Sequence, residues 1–447
     1  MTAHHIGHNF QTCPNGTQTS YGYDAASQVQ NILHKITATN TPINNADYLY
    51  NAVGNRTQLT DRRGAQSFGY DTLDRLTSAS HPLLGTPQSF AYDPVGNRTT
   101  GGSVVNAGNQ LTADAAHAYQ YDDNGNLTRK TLLATGNFTQ YTYDAENRLV
   151  KVEDFVAGNP TPAFTSTYRY DGLGRRIEKV ANGQTTRYIY DGEDILLEYD
   201  GASALLARYT HGPGIDEPIA VTKGGSTFFY HQDGLGTVTD LTDATGATAK
   251  SYAYDAYGNI VDQTGTIEQP YTYTGREFDV ESGLYYYRAR TYDSASGRFL
   301  QQDPVGIEEG RNMYVYVENR PTRYNDPHGL YTVLPGVPMP SPIIGALLRC
   351  IEAKTNMPLM VTSTSKISKQ HPAGTPHPRG VAVDIRYSSD PDKVLCAAAG
   401  CGAGFALDEK KHPSVNSDGP HIHIQIPRGK KGGLGDLPKA GCGNCNP

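Results

Sequence analysis

Residues 90–99 read FAYDPVGNRT, and variants of this unit recur along most of the chain. The unit is an aromatic residue, any residue, Tyr and Asp, followed by a turn of Gly, Asn or Asp. Its two aromatic residues are two positions apart, so in a strand they lie on one face. The turn residues tolerate the left-handed backbone that tight β-turns need. Each unit therefore predicts a strand, a turn and a second strand.

The unit recurs at intervals of roughly 20 to 30 residues, which is the spacing of a repeat array. It appears as YGYD at Tyr21, YLYN at Tyr48, FGYD at Phe68, FAYD at Phe90, YQYD at Tyr119, YTYD at Tyr141, YRYD at Tyr168, YIYD at Tyr188 and YAYD at Tyr252. A single hairpin cannot bury its own faces, so the units must stack. The prediction is a mostly β chain that forms a long, spiralling antiparallel sheet.

Composition divides the 447 residues into two parts. From Tyr331 onward there are 13 basic and 8 acidic residues, a net charge of +5; the preceding part has 25 and 37, a net charge of −12. Only Tyr331 and Tyr387 of the 31 tyrosines lie in the second part. Two such different compositions predict two domains that meet near residue 330.

The sequence predicts neither a transmembrane segment nor a signal peptide. No run approaches the ~18 apolar residues that a spanning helix needs, and residues 1–16 lack the charged and apolar regions of a signal peptide. Five of the six cysteines lie after residue 330. Disulfides there would suit an exported domain, and a metal site at Cys442 and Cys445 is the alternative.

Residues 297–330 resemble the C-terminal core of Rhs and YD-repeat proteins. The resemblance rests on Asp303-Pro304-x-Gly306, Asn312-x-Tyr314-x-Tyr316, Asn319-x-Pro321 and Asp326-Pro327-x-Gly329-Leu330, and with the repeats it covers residues 20 to 330. It implies a β-shell around a C-terminal toxin. The expected domains are a repeat shell at 1–296, the core at 297–330 and a toxin domain at 331–447.

The same resemblance implies that the core cleaves its own chain after Leu330. Asp303 and Asp326 would form the aspartyl pair. Two carboxylates at close range cannot both ionise cheaply, so one keeps a proton while the other activates water. The alternative is that both residues only brace Asp-Pro turns.

The toxin domain contains two segments with alternating apolar residues. They are TPHPRGVAVD at residues 375–384 and HIHIQI at residues 421–426. Both predict strands. If the two strands pair antiparallel, His377, Asp384 and one of His421 and His423 can converge. Three protein ligands and a water hold a catalytic Zn²⁺, although an isolated His-x-His is often incidental.

These segments resemble the zinc D-Ala-D-Ala carboxypeptidases and related peptidoglycan peptidases. The resemblance implies His377, Asp384 and His423 as zinc ligands and His421 as the proton-transfer residue. Lys366 or Arg379 would hold the substrate carboxylate. In place of the family's Glu-x-x-His glutamate the chain has Pro420, so the general base is open. Predicted helices at 342–355 and 392–399 and a strand at 359–364 make this a small α+β domain.

The expected function is that of an antibacterial Rhs-type toxin. Its released tip would be a zinc peptidase that cuts peptidoglycan stem peptides in the periplasm of a target cell. A cognate immunity protein and secretion-system delivery proteins would be its partners, and nucleic acid would not. A nuclease tip, whose positive charge would favour phosphates, and a zinc-binding module without catalysis are the alternatives.

Overall fold

The computed structural model describes residues 10–25, 28–304 and 312–330, and the backbone of residues 361–363, 382–386, 405–408 and 421–425. The chain divides into two units. The first unit comprises residues 1–302 and 314–329, and the second comprises residues 303–313 and 330–447. Within the described residues, no helix has the length and apolar character that a membrane crossing requires.

The repeats of the first unit form two antiparallel meanders in which each strand pairs with the next one along the chain. The first sheet has eight strands: β1 (Phe10–Thr12), β2 (Thr17–Tyr23), β3 (Val29–Ile36), β4 (Thr41–Tyr50), β5 (Arg56–Asp61), β6 (Gly64–Tyr70), β7 (Leu76–Ala79) and β8 (Gln88–Ser89). The second sheet has sixteen strands: β9 (Val104–Val105), β10 (Leu111–Ala113), β11 (His117–Tyr121), β12 (Leu127–Leu132), β13 (Phe138–Tyr143), β14 (Leu149–Phe155), β15 (Phe164–Tyr170), β16 (Arg176–Ala181), β17 (Gln184–Asp191), β18 (Asp194–Asp200), β19 (Leu205–His211), β20 (Pro218–Lys223), β21 (Ser226–Gln232), β22 (Val238–Thr242), β23 (Thr248–Tyr254) and β24 (Ile260–Thr264).

The predicted antiparallel repeat fold is therefore confirmed, but the prediction of one continuous sheet was wrong. The break falls at the unit that begins with Phe90, where pairing is reduced to one bridge between Tyr92 and Arg98. The turn itself is intact, because the amides of Val95 and Asn97 donate to Asp93 Oδ1 at 3.0 and 2.8 Å. Gly101 and Gly102, both with positive φ, then redirect the chain before β9.

A smaller sheet and two 3-10 turns complete the first unit. The sheet contains β25 (Glu277–Asp279), β26 (Leu284–Tyr287), β27 (Arg290–Asp293) and β28 (Arg298–Phe299), and the turns are Tyr273–Gly275 and Val317–Asn319. The tyrosines of this small sheet are almost fully buried and contact one another edge-on. Tyr287 and Tyr292, for example, have ring centroids 5.5 Å apart. The aromatic cluster makes this sheet part of the core.

The Asp of most repeat units closes its own turn. In the unit containing Asp171, Oδ1 accepts hydrogen bonds from the amides of Leu173 and Arg175 at 2.9 and 3.0 Å, and Oδ2 accepts from Arg175 Nε at 2.8 Å. Partial burial raises the pKa of this carboxyl, but these hydrogen bonds outweigh it and hold the pKa below its usual value. The repeated Asp residues are therefore structural turn caps.

In seven units the Tyr joins that unit to the one before it. We call the residue five positions after the turn Asp or Asn the post-turn residue of that unit. The Tyr hydroxyl of the following unit donates a hydrogen bond to the backbone carbonyl of this post-turn residue. Seven such bonds of 2.5 to 2.9 Å are Tyr50–Val29, Tyr70–Arg56, Tyr92–Leu76, Tyr143–Leu127, Tyr170–Leu149, Tyr190–Arg176 and Tyr254–Val238. A Phe could fill the same space but would leave a partly buried carbonyl unpaired.

The described strands of the second unit form a four-stranded antiparallel sheet in the order β29 (Val361–Ser363), β30 (Ala382–Arg386), β32 (His421–Gln425), β31 (Phe405–Asp408). The expected pairing of the strands at 382–386 and 421–425 is confirmed. β31 pairs with the other side of β32 and was not predicted from the sequence. The helices predicted at 342–355 and 392–399 lie outside the described residues.

Candidate functional site

The segment just before the expected cleavage point, residues 326–329, is anchored to the turn between β26 and β27. Three consecutive carbonyl oxygens, those of Pro327, His328 and Gly329, accept hydrogen bonds from three consecutive residues. The donors are Arg288 Nη1, the Ala289 amide at 3.1 Å and Arg290 Nε at 2.5 Å. The backbone on this side of the expected scissile bond is thus held over its whole length.

Asp326 is 2% exposed, and Arg290 Nη2 donates to its Oδ2 at 3.1 Å. Arg290 is also buried, and its guanidinium carbon lies 3.7 Å from the centre of the Phe299 ring. A buried carboxylate is costly unless a charge of opposite sign accompanies it. Arg290 supplies that charge and fixes the Gly329 carbonyl at the same time.

A second ion-pair network involves His328, which lies in the segment, and Arg288, which contacts it. His328 Nε2 lies 2.6 Å from Glu193 Oε2, and Arg288 contacts Glu193 at 3.2 Å and Asp216 at 2.9 Å. Arg276, almost fully buried, contacts Asp216 at 2.5 Å. Burial raises the pKa of Glu193, but the hydrogen bond and charge of His328 and the charge of Arg288 outweigh it and lower that pKa to about 2.

Gly329 occupies a position that accepts no side chain. Its φ is +65°, and a Cβ would lie 2.6 Å from the Tyr287 carbonyl oxygen and 3.1 Å from the Arg290 amide nitrogen. We expect Gly329→Ala to detach residues 326–329 locally and to lower stability by about 1–3 kcal/mol. Faster amide hydrogen exchange at Ala289, which donates to His328, is the measurement. Gly283→Ala is the matched control, because Gly283 has φ +70° and open space around its Cβ. Equal exchange in both variants would contradict the anchoring.

Asp303, the other expected catalytic residue, belongs to the second unit, where its amide donates to the Met313 carbonyl at 3.0 Å. Its pairing with Asp326 therefore stays a prediction. The roles of Arg288 and Arg290 were not predicted from the sequence. The signal available was Arg-Ala-Arg directly after three tyrosines, at 285–290.

The expected metal ligands are partly described. Asp384 on β30 is the register partner of His423 on β32, and His421 is the partner of Arg386. His377, Lys366 and Arg379 lie outside the described residues. Among the residues that the structure describes, no group of three metal-binding side chains is found.

The family model of the teneurin YD-shell matches residues 8–334 of the chain. Among curated proteins, the tRNA nuclease WapA of Bacillus subtilis strain 168 is 35% identical over 280 residues, which are 58% of this chain and 12% of WapA. The double-stranded DNA deaminase toxin A of Burkholderia cenocepacia is 30% identical and matches 64% of this chain and 22% of that protein. The probable deoxyribonuclease RhsB of Dickeya dadantii is 30% identical, with shares of 65% and 21%.

This chain thus spans less than a quarter of each of these relatives. Among solved structures, the crystal structure of TcdB2-TccC3-TEV superposes with a TM-score of 0.60 at 21% identity and covers 72% of this chain and 18% of that chain. At this identity the likeness shows the fold alone.

The relatives correct the expected activity. They are named for acting on tRNA or DNA, so the predictions of a zinc metallopeptidase, of a peptidoglycan stem-peptide substrate and of no nucleic-acid partner were wrong. The periplasmic target rested on the peptidase interpretation and loses its support with it. The physical reason for the error is that His and Asp bind metal ions in many hydrolases. A spacing of a few such residues indicates a metal but does not determine which bond is cut.

Proposed function

Because the chain belongs to the teneurin YD-shell family, we propose that its repeat shell carries a toxin tip, residues 331–447, that acts on nucleic acid. The observation that carries this proposal is the set of relatives at 30 to 36% identity that are named nucleases or a DNA deaminase. The net charge of +5 after residue 330 supports it, because basic surface attracts phosphates. The tip would be a small α+β domain that is delivered into a target cell.

We further propose that the tip hydrolyses phosphodiester bonds with a bound Zn²⁺ held by His377, Asp384 and His423. The register pairing of Asp384 with His423 supports this arrangement. A bound Zn²⁺ lowers the pKa of its water and stabilises negative charge on a phosphoryl oxygen. His421, two residues from His423, is the proposed proton-transfer group, and Lys366 and Arg379 are the proposed contacts to substrate phosphate.

Release of the tip by cleavage after Leu330 is the third part of the proposal. The anchoring of residues 326–329 by Arg288 and Arg290 supports it, because a fixed backbone holds a peptide bond in place for attack. Asp326 and Asp303 are the proposed aspartyl pair. In this role one carboxylate activates water and the other protonates the departing amide nitrogen.

Incubating the full purified chain with tRNA and with duplex DNA tests the activity. We expect degradation of one of them, which His423→Ala abolishes together with bound zinc, measured by metal analysis. Loss of zinc without loss of activity would contradict the metal role. No change in either nucleic acid, before or after release of residues 331–447, would contradict the proposal as a whole.

The cleavage is tested separately by mass spectrometry of the same preparation. We expect a fragment that begins at Tyr331, and we expect Asp326→Asn to leave the chain intact. Asp243→Asn is the matched control, because Asp243 caps an ordinary exposed turn. An intact wild-type chain, or cleavage that persists in Asp326→Asn, would contradict the aspartyl pair.

A further inference from the structure

The post-turn residue of a repeat unit is normally an apolar core residue. Buried post-turn residues of this kind are Leu76, Leu127, Leu149 and Val238. Three units instead have Arg56, Arg98 and Arg176 at this position. A guanidinium at a core position requires partners, because a buried charge without them is costly.

Two of the three arginines have such partners. Arg56 Nη2 donates to the Gly234 carbonyl at 2.9 Å. Arg176 forms ion pairs with Glu277 at 2.9 Å and with Asp279 at 2.5 Å. At these positions the rest of the first unit supplies what the guanidinium needs.

Arg98 differs from both. Arg98 as a whole is half-buried, but its Nε and Nη2 are buried and have no hydrogen-bond partner within the described residues. Its guanidinium carbon lies 3.9 Å from the ring centre of Tyr257 and 4.8 Å from that of Phe90. The ring faces attract the cation. Where Arg176 meets two carboxylates, Arg98 forms an ion pair with none among the described residues.

Arg98 lines a pocket of about 410 Å³ within the first unit, and Arg298 lines it as well. Arg298 is 7% exposed and donates to two neutral oxygens, Asn97 Oδ1 at 3.1 Å and the Asn109 carbonyl. Burial lowers the pKa of Arg298 to about 10. Within the described residues, neither guanidinium forms an ion pair.

The other charged groups that line the pocket have partners of their own. Lys130 lies 2.9 Å from Asp293, and Asp114 lies 3.3 Å from His117 and accepts a hydrogen bond from the Tyr119 hydroxyl. The excess of positive charge in the pocket therefore comes from Arg98 and Arg298. The pocket is far larger than the ~10–15 Å³ of cavity volume that one water needs, so a polyatomic anion fits.

We propose that the pocket lined by Arg98 and Arg298 binds a phosphate-class oxyanion. A guanidinium presents a planar set of N–H donors that matches the oxygens of a phosphate. Two such groups at one pocket can share a doubly charged anion. The bound anion would supply at Arg98 the negative charge that Glu277 and Asp279 supply at Arg176. The site lies in the shell and does not depend on the activity of the tip.

Titration of the full chain with inorganic phosphate tests the site, with potassium chloride and potassium acetate at equal ionic strength as references. We expect saturable phosphate binding by calorimetry and a matching rise in the thermal midpoint of the shell. Arg98→Gln is expected to weaken binding by at least about tenfold, the loss of one charge-assisted hydrogen bond. Arg208→Gln, which removes an exposed arginine far along the repeats, is the charge-matched control and is expected to bind as the wild type does.

A second variant keeps the test decisive if Arg98→Gln does not fold. Ser296 lines the pocket three residues after Asp293 and directly before Gly297. We expect Ser296→Glu to place a carboxylate beside the two guanidinium groups, to raise the thermal midpoint without phosphate and to remove the phosphate response. Ser282→Glu is the matched control, since Ser282 follows Asp279 and precedes Gly283 in the same way. It is expected to leave the response intact.

The proposal is overturned if the wild type shows no saturable phosphate binding, or if acetate acts as strongly as phosphate. It is also overturned if a folded Arg98→Gln variant binds phosphate as tightly as the Arg208→Gln control, or if Ser296→Glu leaves the phosphate response unchanged.

Discussion

Replacing Arg176 by leucine is expected to destabilise the shell by about 3–5 kcal/mol, the usual effect of removing one partner from a buried ion pair. Leucine fits the position, because Leu127 and Leu149 are the post-turn residues of other units and are buried there. The loss therefore comes from Glu277 and Asp279, which are 3% and 4% exposed and would lose their guanidinium. The midpoint of urea unfolding measures it.

The loss should depend on pH in a defined direction. Burial raises the pKa of Asp279, but the charges of Arg176 and Lys179 outweigh it and hold that pKa below its usual value. In the wild type this carboxylate stabilises the fold above its unfolded pKa of 3.8, and that stability is lost as the pH falls through its lower folded pKa. Without the charge of Arg176 the Asp279 carboxyl is neutralised more readily. The difference between variant and wild type should therefore shrink as the pH falls from 7 to 4.

The triple variant Arg176→Leu, Glu277→Gln, Asp279→Asn is the matched control. It removes the charges together and leaves neutral groups of similar size, so we expect it to recover most of the lost stability. A single variant that loses less than about 1 kcal/mol, or a triple variant that is no more stable than the single one, would contradict a charge-pair origin.

The repeat pattern was sufficient to predict the antiparallel hairpins, because the turn Asp and the Tyr act on residues within one or two units. Asp171 caps its own turn, and Tyr170 reaches the post-turn Leu149 of the preceding unit. Contacts of this range are written in the local sequence. The division into two sheets depended on the single unit at Phe90, whose motif looks intact while its pairing is reduced to a bridge.

The partners of the post-turn arginines could not be predicted, because they lie far away along the chain. Arg176 meets Asp279, 103 residues later, whereas Arg56 meets Gly234, 178 residues later. Three identical residues at equivalent positions thus have three different environments. The same holds for the site near Leu330. The motif indicated Asp303 and Asp326 as candidates, which stay a prediction, but the anchoring role of Arg290 follows only from the fold.

Two buried histidines join the first sheet to the second and make that contact sensitive to acid. The rings of His34 on β3 and His231 on β21 have centroids 4.9 Å apart. His34 Nε2 lies 3.1 Å from the Gln232 carbonyl oxygen, so Nε2 is the donor, and Nδ1 lies 2.8 Å from Thr19 Oγ1. His231 Nε2 lies 2.9 Å from Thr242 Oγ1.

The charged groups around the two histidines do not compensate the positive charge that a protonated imidazole would carry. Asp240 is the register partner of His231, but its carboxylate is bound by Asn44 at 2.9 Å and by Arg62 at 2.6 Å. Burial lowers the pKa of His34 to about 4. Burial, together with the charge of the neighbouring His34, lowers the pKa of His231 well below its usual value.

We expect the stability of the shell to fall steeply between pH 6.5 and pH 4. In that window the unfolded chain binds a proton at His34 and the folded chain does not, so stability is full above pH 6.5 and is lost as the pH decreases. The pKa difference between 6.5 and about 4 corresponds to about 3 kcal/mol for His34 alone. Urea unfolding at pH 7, 6, 5 and 4 measures the slope.

His34→Gln distinguishes the titration of this histidine from a general loss of shell stability at low pH. Glutamine can donate to the Gln232 carbonyl and accept from Thr19 without taking up a proton, so we expect its stability to depend less on pH in this window. Asn15→Leu is the matched control. It removes the hydrogen bonds from Asn15 to the Thr242 hydroxyl and the Asp243 carbonyl across the same two sheets without removing a partner of a carboxylate, and it should lower stability while keeping the wild-type slope. If His34→Gln keeps that slope as well, the acid sensitivity arises elsewhere and the histidine pair is only a packing contact.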